Sequence, residues 1–155
     1  MKKIVFAFGI LAVLASCQKG LADKEQLLEK GVVSFSANAS REISAFLEES
    51  APVTFTIAAS KKLDKAVKVD FQPVRDSEVL DAFNRANGTN YWLLPEENCT
   101  LRSTQATIPA GSAVSEPVTV DVDIDGFVNG AIYCLPLKIT GTDSEMGPIP
   151  GEEYA

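Results

Sequence analysis

The stretch Val-Thr-Val-Asp-Val-Asp-Ile, residues 118–124, carries the clearest structural signal in the chain. Its apolar side chains alternate with threonine and aspartate, and Asp125-Gly126 follows. Alternation with a period of two is typical of a β-strand that buries one face and exposes the other. Because an Asp-Gly pair favours a tight turn, the stretch predicts a half-buried strand that ends in a turn.

The same alternation recurs on both sides of this strand, and Gly, Pro, Asn and Asp separate the apolar runs at residues 33–36, 53–57, 67–71 and 135–139. A mostly-β chain with turns at this spacing predicts an immunoglobulin-like antiparallel β-sandwich. Tyr133 stands just ahead of the last run, in the position of a tyrosine corner whose hydroxyl bonds to nearby backbone. An ordinary strand tyrosine is the alternative.

One segment breaks the alternation and predicts a single short helix inserted between strands. Asp76-Ser77 can cap its start, and Gly88 can end it in a left-handed conformation. The stripe expected to face the core consists of Val79, Leu80, Phe83 and Ala86. Pro109-Ala110-Gly111 predicts a further tight turn, and residues 40–50 fit a helix or a strand equally well.

The N-terminal residues predict a signal for lipid attachment. Lys2 and Lys3 precede an uncharged apolar run, Ile4–Ala15, that is too short to span a bilayer. Ser16 then precedes Cys17, and a small residue before a cysteine resembles the bacterial lipoprotein pattern. We therefore expect cleavage between Ser16 and Cys17, with the lipid carried on the Cys17 thiol.

The expected organisation is a signal peptide over residues 1–16, a polar tether over 17–30 and one sandwich domain over 31–155. The membrane would be contacted through the N-terminal acyl chains. Gln18 occupies the position where an aspartate would commonly signal inner-membrane retention, so the outer membrane is expected. The sequence leaves open whether the domain faces the periplasm or the cell surface.

Charge and composition exclude several classes of partner and reaction. Residues 1–16 carry two lysines and no acid, so their removal changes the net charge from −7 to −9. Such an acidic chain argues against nucleic acid as a partner and against electrostatic docking to anionic lipids. The chain has no histidine, which removes Ser-His and Cys-His catalysis. We predict no enzyme activity, no catalytic residues and no cofactor.

The acidic residues of the strand also match the start of a calcium-binding EF-hand loop. That loop has carboxylates at positions 1, 3 and 5 and glycine at position 6, here Asp121, Asp123, Asp125 and Gly126. Position 12 would be Ile132, where that loop needs a bidentate glutamate. A strand explains the pattern better, so no metal site is predicted. The acidic face would then discourage edge-to-edge pairing with another sheet.

Three further residue types bear on function. Cys99 and Cys134 are expected on different faces, so no disulfide is predicted between them. Trp92, beside Tyr91, is the candidate for stacking on a sugar ring. By alternation, however, one ring of this pair should pack inward over the helix, and a core role for both is the alternative.

The stretch from Leu80 to Gly141 resembles an immunoglobulin-like domain of unknown function at the N-terminus of Bacteroidetes surface lipoproteins. The motifs that carry this resemblance are Ala82–Asn84, Asn87–Tyr91, Leu94–Glu96, Thr107–Gly111, Val118–Val120 and Tyr133–Ile139. In that family the domain typically precedes a glycan-binding or glycoside-hydrolase domain, and the genes often lie in polysaccharide-utilisation clusters. The resemblance implies a non-enzymatic accessory module in cell-surface glycan capture, as a binder of polysaccharide or a spacer. A structural envelope or adhesin-type subunit is the alternative.

Members of the family continue into one more apolar strand, but residues 141–155 contain three glycines and two prolines. This composition disfavours a regular ladder strand, so we expect the last strand of the sandwich to be missing. Either the chain is a portion of a longer protein, or a strand from a protein partner completes the sheet edge.

Overall fold

The structure is a computed structural model that describes residues 29–36 and 49–148. Its strands are β1 (Val32–Phe35), β2 (Ala51–Phe55), β3 (Ile57–Ala59), β4 (Val67–Pro73), β5 (Trp92–Leu93), β6 (Cys99–Leu101), β7 (Gln105–Ile108), β8 (Val118–Val122), β9 (Tyr133–Cys134), β10 (Leu137–Thr142) and β11 (Gly147–Pro148). Helix α1 spans Ser77–Asn87, and a 3-10 turn spans Glu96–Asn98. Across the described ranges, no helix has the length and apolar character needed to cross a membrane.

Strand pairing is mostly antiparallel and confirms the predicted immunoglobulin-like β-sandwich. Three sheets have three strands each, in the orders β11-β1-β3, β10-β4-β7 and β2-β8-β6, and β5 pairs with β9. The pairs β5–β9 and β1–β11 are parallel. Apolar faces of the three larger sheets meet in one core, to which Val33, Ile57, Val69, Ile108 and Ile139 contribute almost fully buried side chains.

Three phenylalanines link the larger sheets at the centre of the core. Phe35 lies on β1, Phe55 on β2 and Phe71 on β4, so each sheet contributes one ring. The centroids of the rings are separated by 5.8 Å (35 to 55), 6.3 Å (35 to 71) and 5.3 Å (55 to 71). The rings are tilted or edge-on, as aromatic pairs prefer.

The run at residues 53–57 is divided between two sheets. We expected one strand there, but β2 pairs with β8 and β3 pairs with β1. Thr56 lies at the change of sheet, and its carbonyl accepts a hydrogen bond from the backbone N–H of Ser36 at 2.8 Å. Phe55 and Ile57 are both buried because the alternation continues across the break. Strands that switch sheets in this way form the corners of sandwiches.

Strand β8 lies in the middle of its sheet, between β2 and β6. The suggestion that its acidic face protects a free edge is therefore wrong. Alternation determines which face of a strand is buried, whereas the position of the strand in the sheet depends on pairing with distant segments. The exposed Arg102 faces Asp121 instead, and the two form a bidentate ion pair with N···O distances of 2.7 and 2.6 Å.

The expectation that the last strand of the sandwich is missing is also wrong, because residues 147–148 form a short paired strand. Strand β11 pairs in parallel with β1, with Val32 opposite Gly147 and Val33 opposite Pro148. The Thr142 hydroxyl donates to the Met146 carbonyl at 2.6 Å, and the buried Met146 side chain packs into the core. Local hydrogen bonding and one apolar anchor thus hold a short strand despite its composition. Residues 149–155 lie outside the described residues.

Helix α1 begins and ends where the sequence predicts. The Asp76 side chain accepts a hydrogen bond from the Glu78 N–H at 2.9 Å, and Gly88 adopts a left-handed φ of 67°. The buried stripe is narrower than expected, because Leu80 alone of the four predicted residues is fully buried. Val79 and Phe83 are half-buried and Ala86 is exposed. The tight turns at Gly111 and Gly126 are confirmed by φ values of 80° and 78°.

Candidate functional site

An open groove of about 620 Å³ lies beside the paired strands β5 and β9. One wall is the segment Thr89–Trp92, which leads from α1 into β5. The other wall is the loop 128–132, which leads into β9. The backbone N–H of Trp92 donates to the Ile132 carbonyl at 2.8 Å, so the two walls are joined directly.

Trp92 presents its ring at this groove, with 46% of the residue exposed. Tyr91 turns the other way and stacks on Phe83 of α1, with a centroid distance of 6.1 Å and an interplanar angle of 26°. One member of the pair therefore packs over the helix, as alternation predicts, and the other is the exposed one. Strand periodicity places neighbouring side chains on opposite faces but does not say which face is covered.

The Tyr133 ring packs against the Trp92 ring. The two rings meet edge to face, with centroids 6.0 Å apart and an interplanar angle of 72°. The Tyr133 hydroxyl accepts a hydrogen bond from the backbone N–H of Val128 at 3.1 Å, and its ring stacks on Phe127 at 4.0 Å. The expected bond between this hydroxyl and upstream backbone is confirmed, and it fixes the loop 128–132 relative to the indole.

Asn84 holds the other wall, and the sequence analysis did not identify it as a functional residue. Its side-chain oxygen accepts hydrogen bonds from the Thr89 hydroxyl at 2.8 Å and the Tyr91 N–H at 3.0 Å. Its side-chain nitrogen donates to the Tyr91 carbonyl at 3.0 Å. One amide thus binds Thr89 and Tyr91, two of the three residues directly before Trp92. In the sequence, the importance of Asn84 was indicated only by its place in the family motif Ala82–Asn84. Hydrophobic periodicity gives no information about polar bonds to a loop.

The chemical character of the groove is apolar and uncharged. Val128 and Ile132 are 51% and 61% exposed, so they extend the apolar surface beside Trp92. Asn90 and Asn129 add amides, and none of the described residues that line the groove is acidic or basic. Such a surface can stack on an apolar ligand face and exchange hydrogen bonds with neutral polar groups.

The acidic turn after β8 is a separate, structural cluster. The Asp123 carboxylate accepts hydrogen bonds from the Asp125 N–H at 3.0 Å and the Ser50 hydroxyl at 2.8 Å, and these bonds lower the pKa of Asp123. The buried Asn98 side chain donates to the carbonyls of Asp123 and Asp125, both at 2.9 Å. Among the described residues, no three His, Cys, Asp or Glu side chains are grouped as a metal site would require.

Arg75, which lies between β4 and α1, binds both the segment after β5 and the start of β6. Its guanidinium donates to the Leu94 carbonyl and to the Cys99 Sγ, the latter at 2.8 Å. Cys99 and Cys134 are both half-buried, and they do not form a disulfide with each other. The predicted lipidation and cleavage residues, Cys17 and Ser16, lie outside the described residues.

Comparison with known proteins gives two family matches. A family model described as "-like, N-terminal domain" matches residues 25–146, and the model of the prokaryotic membrane lipoprotein lipid attachment site matches residues 1–18. A comparison with curated proteins gave no match.

Several solved structures share the fold at low sequence identity. A protein from Bacteroides ovatus, described as a candidate carbohydrate binding protein, is 22% identical with a TM-score of 0.67 over 80% of this chain and 35% of its own. A two domain protein with unknown function from Bacteroides fragilis is 15% identical with a TM-score of 0.59 over 86% and 47%. EndoBT-3987 of Bacteroides thetaiotamicron, solved with a Man5GlcNAc product, is 21% identical with a TM-score of 0.52 over 63% and 23%.

The chain therefore spans less than half the length of each of these structures, and what it shares with them is the fold. The family model, in contrast, covers most of the chain, and the attachment-site model covers its N-terminus. The chain belongs to the family described as "-like, N-terminal domain", and it combines an immunoglobulin-like β-sandwich with an N-terminal lipoprotein lipid attachment site.

Proposed function

We propose that this protein is a non-enzymatic accessory module that captures glycans at the outer membrane, with Trp92 as the sugar-stacking residue. The observation that carries the proposal is an exposed indole in an uncharged groove whose two walls are fixed by hydrogen bonds. Tyr91, the second candidate, supports the groove through its contact with Phe83.

The chemistry of a sugar suits this surface. One face of a pyranose ring carries C–H groups that pack on an aromatic plane, while its hydroxyls both donate and accept hydrogen bonds. Trp92, with Val128 and Ile132 beside it, offers the apolar plane, and the amides of Asn90 and Asn129 complement hydroxyls. A tryptophan that only packed in the core would be buried, and its function would not require exposed apolar and amide side chains beside it.

Two structures of the same fold add support. One is described as a candidate carbohydrate binding protein, and another was solved with an oligosaccharide product. The second of these chains is more than four times as long as the matched region, because the match covers 23% of it. The described residues that line the groove include no pair of carboxylates for acid–base chemistry, and this supports binding over hydrolysis.

The anchor is the second part of the proposal. The attachment-site match over residues 1–18 supports lipidation at Cys17 after cleavage behind Ser16. In the proposed organisation, the tether 17–30 and the domain 31–155 follow. Cys17→Ala should abolish acyl labelling and remove the protein from the membrane fraction. Unchanged membrane fractionation of this variant would show that the anchor lies elsewhere.

The binding test uses affinity gel electrophoresis of the chain against a panel of polysaccharides. Trp92→Ala should weaken retention by about 1–2 kcal/mol, a factor of roughly 5–30 in affinity. Val114→Ala is the matched control, since Val114 is similarly exposed at 45% but lies outside the groove. Equal retention of the two variants would contradict the proposed site. Failure of the unaltered chain to bind any polysaccharide would favour the structural or adhesin-type alternative.

A further inference from the structure

We propose that the groove at Trp92 takes neutral glycans and excludes acidic ones. This inference rests on the proposed glycan binding and adds the chemical class of the ligand. It follows from three properties of the groove: the described lining residues are uncharged, the exposed apolar side chains are concentrated there, and the polar side chains are neutral amides and hydroxyls.

The first step concerns the fate of a sugar carboxylate. A uronic acid placed on this surface would lose part of its hydration, and burying a charge is costly unless a cation or several donors replace the water. Among the described residues, no lysine or arginine lines the groove to compensate for that loss with an ion pair. The net charge, −7 for the full sequence and −9 after removal of residues 1–16, adds repulsion between the whole molecule and a polyanion.

The second step concerns what a neutral sugar gains. Within the described residues, Trp92, Val128, Ile132 and Val114 are the large hydrophobic side chains that are exposed, and the first three line this groove. Together they form an apolar strip wider than one indole. Asn90 and Asn129 can donate to and accept from sugar hydroxyls, so a neutral ring keeps its hydrogen bonds when it stacks.

The test begins with a neutral polysaccharide that binds the unaltered chain. The same polymer is then oxidised at its primary hydroxyls to carboxylates, which changes its charge and keeps its backbone. At about physiological ionic strength, where screening extends over roughly 8 Å, we expect the neutral polymer to retain the protein and the oxidised polymer to release it. Retention of the protein by the oxidised polymer at equal or higher affinity would overturn the inference and leave glycan binding intact.

Two lysine variants separate the groove from the charge of the whole molecule. Asn129→Lys adds a cation within the groove, and Val114→Lys adds the same charge outside it. Asn129→Lys should increase affinity for the oxidised polymer by up to roughly five-fold, and Val114→Lys should not. An equal response of the two variants would overturn the inference, because net charge would then account for the exclusion. Failure of every neutral polymer to bind would instead overturn the proposed function itself.

Discussion

At the scale of single residues, Asn84 shows how one amide can prepare a binding surface. Its three side-chain hydrogen bonds fix Thr89 and Tyr91, and Trp92 follows directly. The backbone carbonyl of Asn84 also accepts the N–H groups of Gly88 and Thr89. Asn84 therefore joins the end of α1 to the start of β5, and the position of the indole depends on a residue that lies eight positions earlier.

We predict that Asn84→Ala lowers the free energy of unfolding by about 1–3 kcal/mol, because Tyr91 loses partners for both its N–H and its carbonyl group. Glycan retention should also decrease, although no side chain of the groove is removed. Urea unfolding and affinity gel electrophoresis measure the two effects. Asn87→Ala is the control, since the exposed Asn87 side chain donates to the Phe83 carbonyl within its own helix. Equal effects of the two substitutions would contradict the role given to Asn84.

The sequence predicted Trp92 and Tyr91 as a pair but could not assign their directions. Alternation places adjacent side chains on opposite faces, and the covered face depends on where α1 packs. Asn84 and Asn98 could not be predicted for a different reason. Their importance comes from hydrogen bonds to backbone groups that only the folded chain brings near, up to 27 residues away in the case of Asn98.

At the scale of elements, the turn after β8 brings together the start of β2, the end of β8 and the 3-10 turn. The Asp123 carboxylate accepts a hydrogen bond from Ser50, which precedes β2. Asn98 of the 3-10 turn donates to the Asp123 carbonyl in the turn after β8. The pKa of Asp123 lies below its ordinary value of 3.8, first because the Asp125 N–H donates to the carboxylate and second because the Ser50 hydroxyl does so.

We predict that Ser50→Ala raises the pKa of Asp123 toward its ordinary value without restoring it fully, because the Asp125 N–H remains. A folded pKa below the unfolded value stabilises the fold above about pH 3.8, and this contribution is lost as pH falls through the folded pKa. The variant should therefore lose part of that contribution. Titration of the carboxyl carbon by NMR measures the change. Ser103→Ala is the control, since the exposed Ser103 hydroxyl bonds the backbone of Gln105 and not Asp123. An unchanged titration of Asp123 would contradict the prediction.

Element identity was largely predictable, whereas pairing was not. The limits of α1 follow from Asp76 and Gly88, whose local chemistry is sufficient to start and end a helix. The division of residues 53–57 between two sheets could not be seen, because Phe55 and Ile57 keep the phase of a single strand. The middle position of β8 could not be predicted either, because it depends on pairing with β2 and β6, which are distant in the sequence.

At the scale of the whole molecule, the three core phenylalanines make the sheets depend on one another. Each of Phe35, Phe55 and Phe71 belongs to a different sheet, and every pair of rings is in contact distance. Loss of one ring therefore weakens two junctions between sheets. The family resemblance and the alternation together predict the sandwich, but neither predicts which aromatic residues meet at its centre.

We predict that Phe71→Ala lowers the free energy of unfolding by about 3–5 kcal/mol, because it leaves a cavity between three sheets. Phe127→Ala is the matched control, since Phe127 is half-buried and stacks on Tyr133 outside this core. Urea unfolding should show a lower midpoint for Phe71→Ala with an unchanged slope. A loss no larger than that of Phe127→Ala would contradict the central role of this ring.

Strand β1 has a mechanical consequence for a protein held at a membrane. It is the first strand of the described chain and the middle strand of its sheet, between β3 and β11. A pull along β1 from its N-terminal end must shear two ladders of backbone hydrogen bonds together, because both neighbours lie alongside it. An edge strand in the same place would peel away from a single neighbour. The point at which tension enters the domain is thus braced on both sides.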